Sequence, residues 1–352
     1  MTFTEAIAYV VEKGELSEEE AYQAMSAIMD GQITDAQIAC FVTALRMKNE
    51  TINEITGFAR AIREKALKIN PPHDFLVDTC GTGGDMRYTF NISTTAAFVV
   101  AACGLPVAKH GNRSVSSKCG SADVLEALGV NLDLSPVEVS RAIKETGIGF
   151  LFAPAFHAAM KHAGKARKEV GIRTVFNLLG PLTNPGAANI QLVGVFAPAL
   201  TEVLGKVLYK LGLDSALVVH GAGGLDEVST LGPTRITEVK NSLIRTYEIS
   251  PGMFGIPEAT ASQLRGGSAE DNAKITLRVL EGRQGPEQDV VVINAAAALY
   301  AAGKVSRYKE GVEMAREAIL SGAALQKLKL MQQYSSLACK KEAGAENISS
   351  TA

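Results

Sequence analysis

At 352 residues, 47% of them hydrophobic and 20% charged, the chain is long enough for two globular domains and too apolar to be disordered. A net charge of −2 offers no global basic field for nucleic acid or an anionic membrane, so an anionic ligand must be held by a local cluster of cations. The five cysteines form no C-x-x-C pair, no apolar run approaches a membrane span, and the acidic, amphipathic start lacks the basic region of a signal peptide, which together predict a cytoplasmic protein with reduced thiols.

Residues 1–70 read as an all-helical domain. Four capping boxes punctuate it: Thr2 with Glu5, Ser17 with Glu20, Thr34 with Gln37 and Thr51 with Glu54. Apolar residues such as Ile28, Ile38, Phe41, Val42, Leu45 and Ile55 recur at helical spacing. No catalytic cluster is visible, so the segment is expected to pack or dimerise. Asn70, Pro71 and Pro72 form a linker.

The period then changes. A strand at 75–77, a helix at 94–103 ended by Gly104, a strand at 106–109, a helix at 122–128 capped by Ser121, a helix at 137–146 and a strand at 148–152 follow in turn. Such alternation predicts an α/β domain over 71–340, with a central, mainly parallel sheet flanked by helices. Residues 155–185 interrupt it with a basic helical stretch carrying Lys161, Lys165, Arg167, Lys168 and Arg173, expected to rejoin the N-terminal helices. The pattern resumes with a strand at 191–196, a helix at 201–211, a strand at 216–220, a hairpin-like pair at 234–239 and 242–249, and helices at 290–302 and 306–321. Residues 341–352 are small and polar and are expected to form a flexible tail.

Two successive strand–loop–helix units carry related chemistry. The first loop has Gly81, Gly83, Gly84 and Asp85, and continues through Thr89 to Asn91, Ile92, Ser93 and Thr94. The second runs Lys109, His110, Gly111, Asn112, Arg113, Ser114, Val115, Ser116, Ser117, with Ser121 opening the next helix. Glycines let backbone N–H groups approach an anion, hydroxyls and cations add donors, and each loop feeds a helix N-terminus. The pair reads as a cradle for a ligand with more than one phosphate. It matches neither the Walker nor the dinucleotide pattern, and the first glycines alone also fit a tight strand-to-helix turn.

A third glycine turn, Gly221 to Gly224, ends in Asp226 and Glu227. Adjacent carboxylates are commonly two surface acids. Beside a polyphosphate they repel the ligand unless Mg²⁺ lies between, and Mg²⁺ is typically held by one or two carboxylates, waters and substrate phosphates. His157 and His162 are poorly spaced for a metal, and no Ser–His–Asp or Cys–His nucleophile is present.

The ordered motifs GTGGD, NIST, KHGNRSVSSKCGSADVLEALG and GIRTVFNLLGPLTNP, with the later acidic pair, resemble the anthranilate phosphoribosyltransferase family from the helical N-terminus to about residue 335. The resemblance implies transfer of a phosphoribosyl group from 5-phospho-α-D-ribose 1-diphosphate to anthranilate. It places Gly81, Gly84, Asp85, Thr89, residues 91–94, residues 109–117 and Ser121 on the sugar diphosphate, with Lys109 and Arg113 stabilising the leaving group. Ser93, Asp226 and Glu227 would hold Mg²⁺, two ions in all. Gly81, Asn112 and Arg167 would meet anthranilate, and no general acid or base is implied. A homodimer through the helical domain is also implied, with no nucleic-acid or membrane partner.

Departures from the family pattern are Met86, Arg87 and Tyr88 in place of smaller residues, Ser114, Cys119, and Ala158 after His157; they bear on loop stiffness more than on any donor. Two rival readings remain: a pyrimidine nucleoside phosphorylase of similar fold, and a non-catalytic nucleic-acid-binding relative.

Overall fold

The computed structural model describes residues 1–114 and 118–349, residues 339–349 by backbone alone. Four helices open the chain: α1 (Phe3–Val11), α2 (Glu18–Met29), α3 (Asp35–Lys48) and α4 (Ile52–Lys65). All four start with the capping boxes expected of them, each pairing the cap side chain with the N3 backbone and the N3 side chain with the cap backbone. A cap of this kind is worth about 1 kcal/mol.

The α/β domain follows with β1 (Val77–Gly81), α5 (Ile92–Ala102), β2 (Val107–Gly111), α6 (Ser121–Ala127), α7 (Pro136–Thr146) and β3 (Ile148–Phe152). Three short helices then leave the sheet: α8 (Ala153–Phe156), α9 (Lys161–Val170) and α10 (Phe176–Leu179). The domain is completed by β4 (Ile190–Gly194), α11 (Leu200–Lys210), β5 (Ser215–Gly221), β6 (Thr234–Lys240), β7 (Leu243–Ile249), α12 (Ala269–Leu280), α13 (Pro286–Ala301), α14 (Tyr308–Leu320) and α15 (Ala323–Ser349).

The seven strands are ordered β3-β2-β1-β4-β5-β6-β7. The first five are parallel, and β6 and β7 add an antiparallel edge. Parallel strands buried on both faces read as apolar runs, which is why these segments were visible in the sequence. Alternate residues serve opposite faces. Leu192, Leu217 and Val219 face a core shared with α5, α13 and α14. Val193, Ala216 and Val218 face a core that contains α11, the four N-terminal helices and Ala163, Ala166 and Phe176 of the basic stretch. That stretch therefore packs against the N-terminal helices, α9 lying on α3.

Some boundaries moved. The first strand begins where its expected segment ended and runs on to Gly81, because its register partner is β4, Val77 to Ile190 through Gly81 to Gly194. Helix α6 begins at Ser121, so the capping position is Gly120, whose N–H donates to Asp123 at 2.7 Å. Helices α12 and α15 were not foreseen. Residues 341–349, expected within a flexible tail, are helical backbone, as suits their Ala, Lys and Glu content.

Strand order reverses between β1 and β4, both pointing the same way. In open α/β sheets a crevice forms outside the carboxyl ends of the strands at such a switch.

Candidate active site

That crevice is crossed by Asp226. Gly81 and Gly194 close the last rung between β1 and β4. A Cβ on Gly81 would lie 2.6 Å from Asp226 Oδ2, and one on Gly194 would lie 1.5 Å from the Asp226 main-chain oxygen. Only glycine at both places lets the acidic turn settle onto the strand ends. Asp226 Oδ2 accepts from the Gly83 N–H at 2.9 Å, and Glu227 Oε1 accepts from the Ser93 N–H at 3.1 Å, at the start of α5. The acidic pair thus binds the first loop and its helix from far along the chain.

The electrostatics of this cluster are those of a site short of positive charge. Loss of solvation pushes the Asp226 carboxyl up to about 7, with Asp85 beside it adding repulsion. Glu227 is raised well above the carboxylate range by burial and by Asp226. Asp85 Oδ2 is buried without a partner among the described residues. The cation nearest at hand is Lys109, which is 3% exposed. Its Nζ donates to the Thr79 carbonyl at 2.5 Å and to Ser93 Oγ at 3.4 Å, and its charge favours ionised Glu227 and Asp78. Among the described residues no three acidic, imidazole or thiol side chains gather tightly enough to hold an ion unaided. The donor set, two or three carboxylates and a hydroxyl, fits a hard divalent cation completed by substrate oxygens.

Gly81 also lines a cavity of about 400 Å³. Ile62 of α4, Met160, Phe176 and Leu179 give it an apolar wall, and His110, Asn112 and Arg167 supply polar groups. Arg167 stacks 5.0 Å from the Phe176 ring and has no ion-pair partner among the described residues. Burial lowers its pKa. The His110 and His157 rings meet at 5.0 Å; burial pushes them down to about 3 and about 4 respectively, the neighbouring His157 adding to the effect on His110. Both imidazoles are therefore neutral near pH 7, leaving the part-buried Arg167 and the exposed Lys161 as the cations that line the chamber. An apolar cavity with one guanidinium suits a small planar carboxylate.

The remaining residues singled out from sequence are distributed as follows. The ring of His110 and the side of Asn112 line the apolar cavity, and His110 Nδ1 lies 3.3 Å from the Gly180 carbonyl. Asn91 ties α5 to the second loop and to α12: its amide donates to the Cys119 carbonyl and its oxygen accepts from Asn272 at 2.9 Å. Ile92 and Thr94 are buried in the domain core, and Thr89 bridges to Arg265. Arg113 is drawn to α6, where it pairs with Asp123 at 3.4 Å and with Glu126. The Ser114 N–H donates to Asp123, and Ser121 Oγ donates to the Asn112 carbonyl. Val115, Ser116 and Ser117 lie outside the described residues. Gly84 has φ +69°, and its carbonyl accepts from Arg173, which stacks 4.5 Å from Phe196.

Three supporting residues were not singled out in the sequence. Gly194 is the first, the close neighbour of the Asp226 main chain. Asp78 is fully buried under β2, with its Oδ1 accepting from the His110 N–H and its Oδ2 from Asn184. Asn294 on α13 clamps Val228, the residue after the acidic pair: its Oδ1 accepts from the Val228 N–H at 2.9 Å and its Nδ2 donates to the Val228 carbonyl at 2.8 Å. It is the lone polar residue in the run VVVINAAAALYAA, a signal that could have found it.

Comparison with known proteins follows the same two-part division. Residues 4–66 match the helical bundle domain of a glycosyl transferase family, and residues 73–325 match its a/b domain. The chain is 56% identical over 323 residues to an anthranilate phosphoribosyltransferase of Acetivibrio thermocellus, covering 92% of this chain and 94% of that one. It is 57% identical over 325 residues to one of Moorella thermoacetica, covering 92% and 96%. Among solved structures, anthranilate phosphoribosyltransferase from Thermus thermophilus superposes with a TM-score of 0.90 at 44% identity, covering 94% of this chain and 99% of that one. The Saccharomyces cerevisiae enzyme in complex with PRPP and Mg gives 0.87 at 29% identity, covering 95% and 98%. Its complex with 4-fluoroanthranilate gives 0.85 at 28% identity, covering 95% and 99%.

Proposed function

The chain belongs to the anthranilate phosphoribosyltransferase family, and on that premise we propose that it joins the amine of anthranilate to C1 of 5-phospho-α-D-ribose 1-diphosphate. The products are N-(5-phosphoribosyl)anthranilate and diphosphate, the second step of tryptophan synthesis from chorismate. The observation that carries the reading is the position of Gly81, which lines the apolar chamber and also lies against Asp226. An acceptor held by Arg167 and a donor held at the acidic pair would meet there.

Anthranilate's amine is a weak nucleophile that needs no prior deprotonation. The harder step is breaking the bond from C1 to the diphosphate oxygen, which takes the electron pair with it. We assign a dissociative course in which this bond opens ahead of N–C1 closure and the amine proton passes to solvent. Ser93, Asp226 and Glu227 would hold Mg²⁺, two ions in all, which would supply positive charge to offset the negative charge growing on the leaving group. The glycine loop from Gly81 to Asp85 and the start of α5 would receive the sugar diphosphate. Lys109, held inward by Thr79 and Ser93, balances the acids beneath it. Arg113 would reach the diphosphate only by exchanging Glu126 and Asp123 for it. Arg167 would grip the anthranilate carboxylate, fixing the amine toward C1. The neutral imidazoles of His110 and His157 leave the acceptor's charge to Arg167, with the exposed Lys161 also on the cavity lining.

We further assign a cytoplasmic homodimer formed through the helical domain, where Tyr9, Val11 and Met47 expose apolar surface. Fluorescence loss of anthranilate, followed with the sugar diphosphate and Mg²⁺, tests the reaction. Full activity in EDTA would remove the metal from the account. Phosphorolysis of a pyrimidine nucleoside without anthranilate turnover would establish the rival chemistry, for which the acidic pair has no use.

A further inference from the structure

A second cleft, of about 540 Å³, opens where α4 meets the Asn184–Ala187 segment and the end of α11. It shares no lining residue with the apolar chamber. Four cations line it: Arg60, Arg63, Lys68 and Lys210. The one lining carboxylate is Glu64, which accepts from Tyr22 Oη at 2.7 Å. Glu18 reaches in from α2 and divides itself between Arg60 at 2.8 Å and Lys210 at 3.0 Å.

Arg63 and Lys68 have no ion-pair partner among the described residues. Arg63 is half-buried, its Nε donates to the Leu182 carbonyl at 2.6 Å, and burial draws it down to about 10. Four cations thus face two carboxylates, in a chain whose net charge is −2. A half-buried guanidinium without a carboxylate has lost part of its hydration and gains from an anion. The surplus equals the charge of one phosphate dianion, and guanidinium forks match phosphate oxygens.

We propose that this cleft is a binding site for a phosphate-class anion, clamped between the helical domain through α4 and the α/β domain through α11. Its floor connects to the candidate active site. The buried Asn184 lines the cleft, and its Nδ2 donates at 2.8 Å to Asp78 Oδ2 and at 2.8 Å to the Ala108 carbonyl. Asp78 in turn holds the His110 N–H at 3.3 Å, and His110 lines the acceptor chamber. An occupant that draws α4 toward the Asn184 segment acts on both walls of that chamber, since Ile62 belongs to α4. The binding stands by itself; its effect on turnover rests on the reaction proposed above.

Calorimetric titration of the full chain with inorganic phosphate, and separately with glycerol 3-phosphate, tests the site. Lys68→Glu, at an exposed position, should weaken binding by about tenfold or more through charge reversal. Asp226→Asn with Glu227→Gln should leave intact the component of binding that Lys68→Glu removes, since those carboxylates lie in the other site. Equal affinity in wild type and Lys68→Glu, or no binding by wild type at millimolar phosphate, overturns the site. Tighter binding of the ester would identify an organic phosphate as the occupant, and tighter binding of the free ion would identify inorganic phosphate. Saturating anion should shift the anthranilate KM by about twofold or more in wild type and not in Lys68→Glu. Normal turnover with an unmoved KM overturns the coupling. Absence of turnover in every protein would instead strike the proposed reaction, and the calorimetry alone would then decide the site.

Discussion

Gly194, the last residue of β4, lies so close beneath Asp226 that a Cβ there would be 1.5 Å from the Asp226 carbonyl oxygen. The obstacle is backbone, which has no rotamer in which to move aside. Gly194→Ala should therefore lift the acidic turn away from Gly81 and Ser93. A displacement of ~1 Å can cost ~100-fold in rate. Steady-state turnover, with circular dichroism to verify folding, checks this; a folded variant with wild-type turnover would refute the close-approach argument.

The carboxylates of that turn set a pH dependence. Asp226 is raised from an ordinary 3.8 to about 7 by burial and Asp85. A group raised on folding binds a proton more tightly in the folded chain, so metal-free stability is highest below the unfolded pKa and falls as pH climbs toward 7. Melting temperatures in EDTA should decline across that window, and Asp226→Asn should flatten the decline. With Glu227→Gln added, the Mg²⁺ requirement for turnover should weaken along with turnover itself. An unchanged Mg²⁺ titration would remove these two residues from the metal site.

Arg167 is the guanidinium of the apolar chamber. Losing a charge-assisted hydrogen bond costs ~1.5–3 kcal/mol, so Arg167→Ala should raise the anthranilate KM by roughly ten- to a hundredfold. The KM for the sugar diphosphate should change far less. An equal rise in both would mean that Arg167 shapes the whole site and has no private claim on the acceptor.

Asn294 makes both of its Val228 hydrogen bonds inside the core. Asn294→Leu would leave the Val228 N–H and carbonyl without these partners, at a cost of ~1–3 kcal/mol for each group stranded. Chemical denaturation should show that loss, and turnover should fall as the acidic pair loosens. Wild-type turnover in a destabilised variant would show that the clamp serves the fold alone.

The legible parts of this molecule are those written locally. Four capping boxes each lie within four residues, and the strand at 148–152 and the hairpin pair announce themselves through composition and period. Both loops at the ends of β1 and β2 stand out for the same reason, their glycines, hydroxyls and cations lying close in sequence. What could not be read depended on register and on competition between partners. Nothing in the sequence brings Gly194 against Asp226, because that contact follows from the pairing of β1 with β4. Asp85 read as a phosphate contact, whereas it also crowds Asp226. Arg113 read as a cation for the leaving group, and Glu126 and Asp123 hold it on α6. His110 sits in the phosphate-type loop by sequence and in the apolar chamber by geometry, since successive residues at a strand end point opposite ways.

Gly81 lines the apolar cavity and also lies so close to Asp226 that a Cβ there would be 2.6 Å from its Oδ2. On the reaction proposed above, Ile62, Met160 and Phe176 would shape the acceptor's pocket, while Asp226, Glu227 and the first glycine loop would serve the donor. These two sets of side chains have no residue in common. On that reading the apolar pocket could be reshaped for a differently substituted aromatic amine while the donor half is kept whole, provided residue 81 stays a glycine.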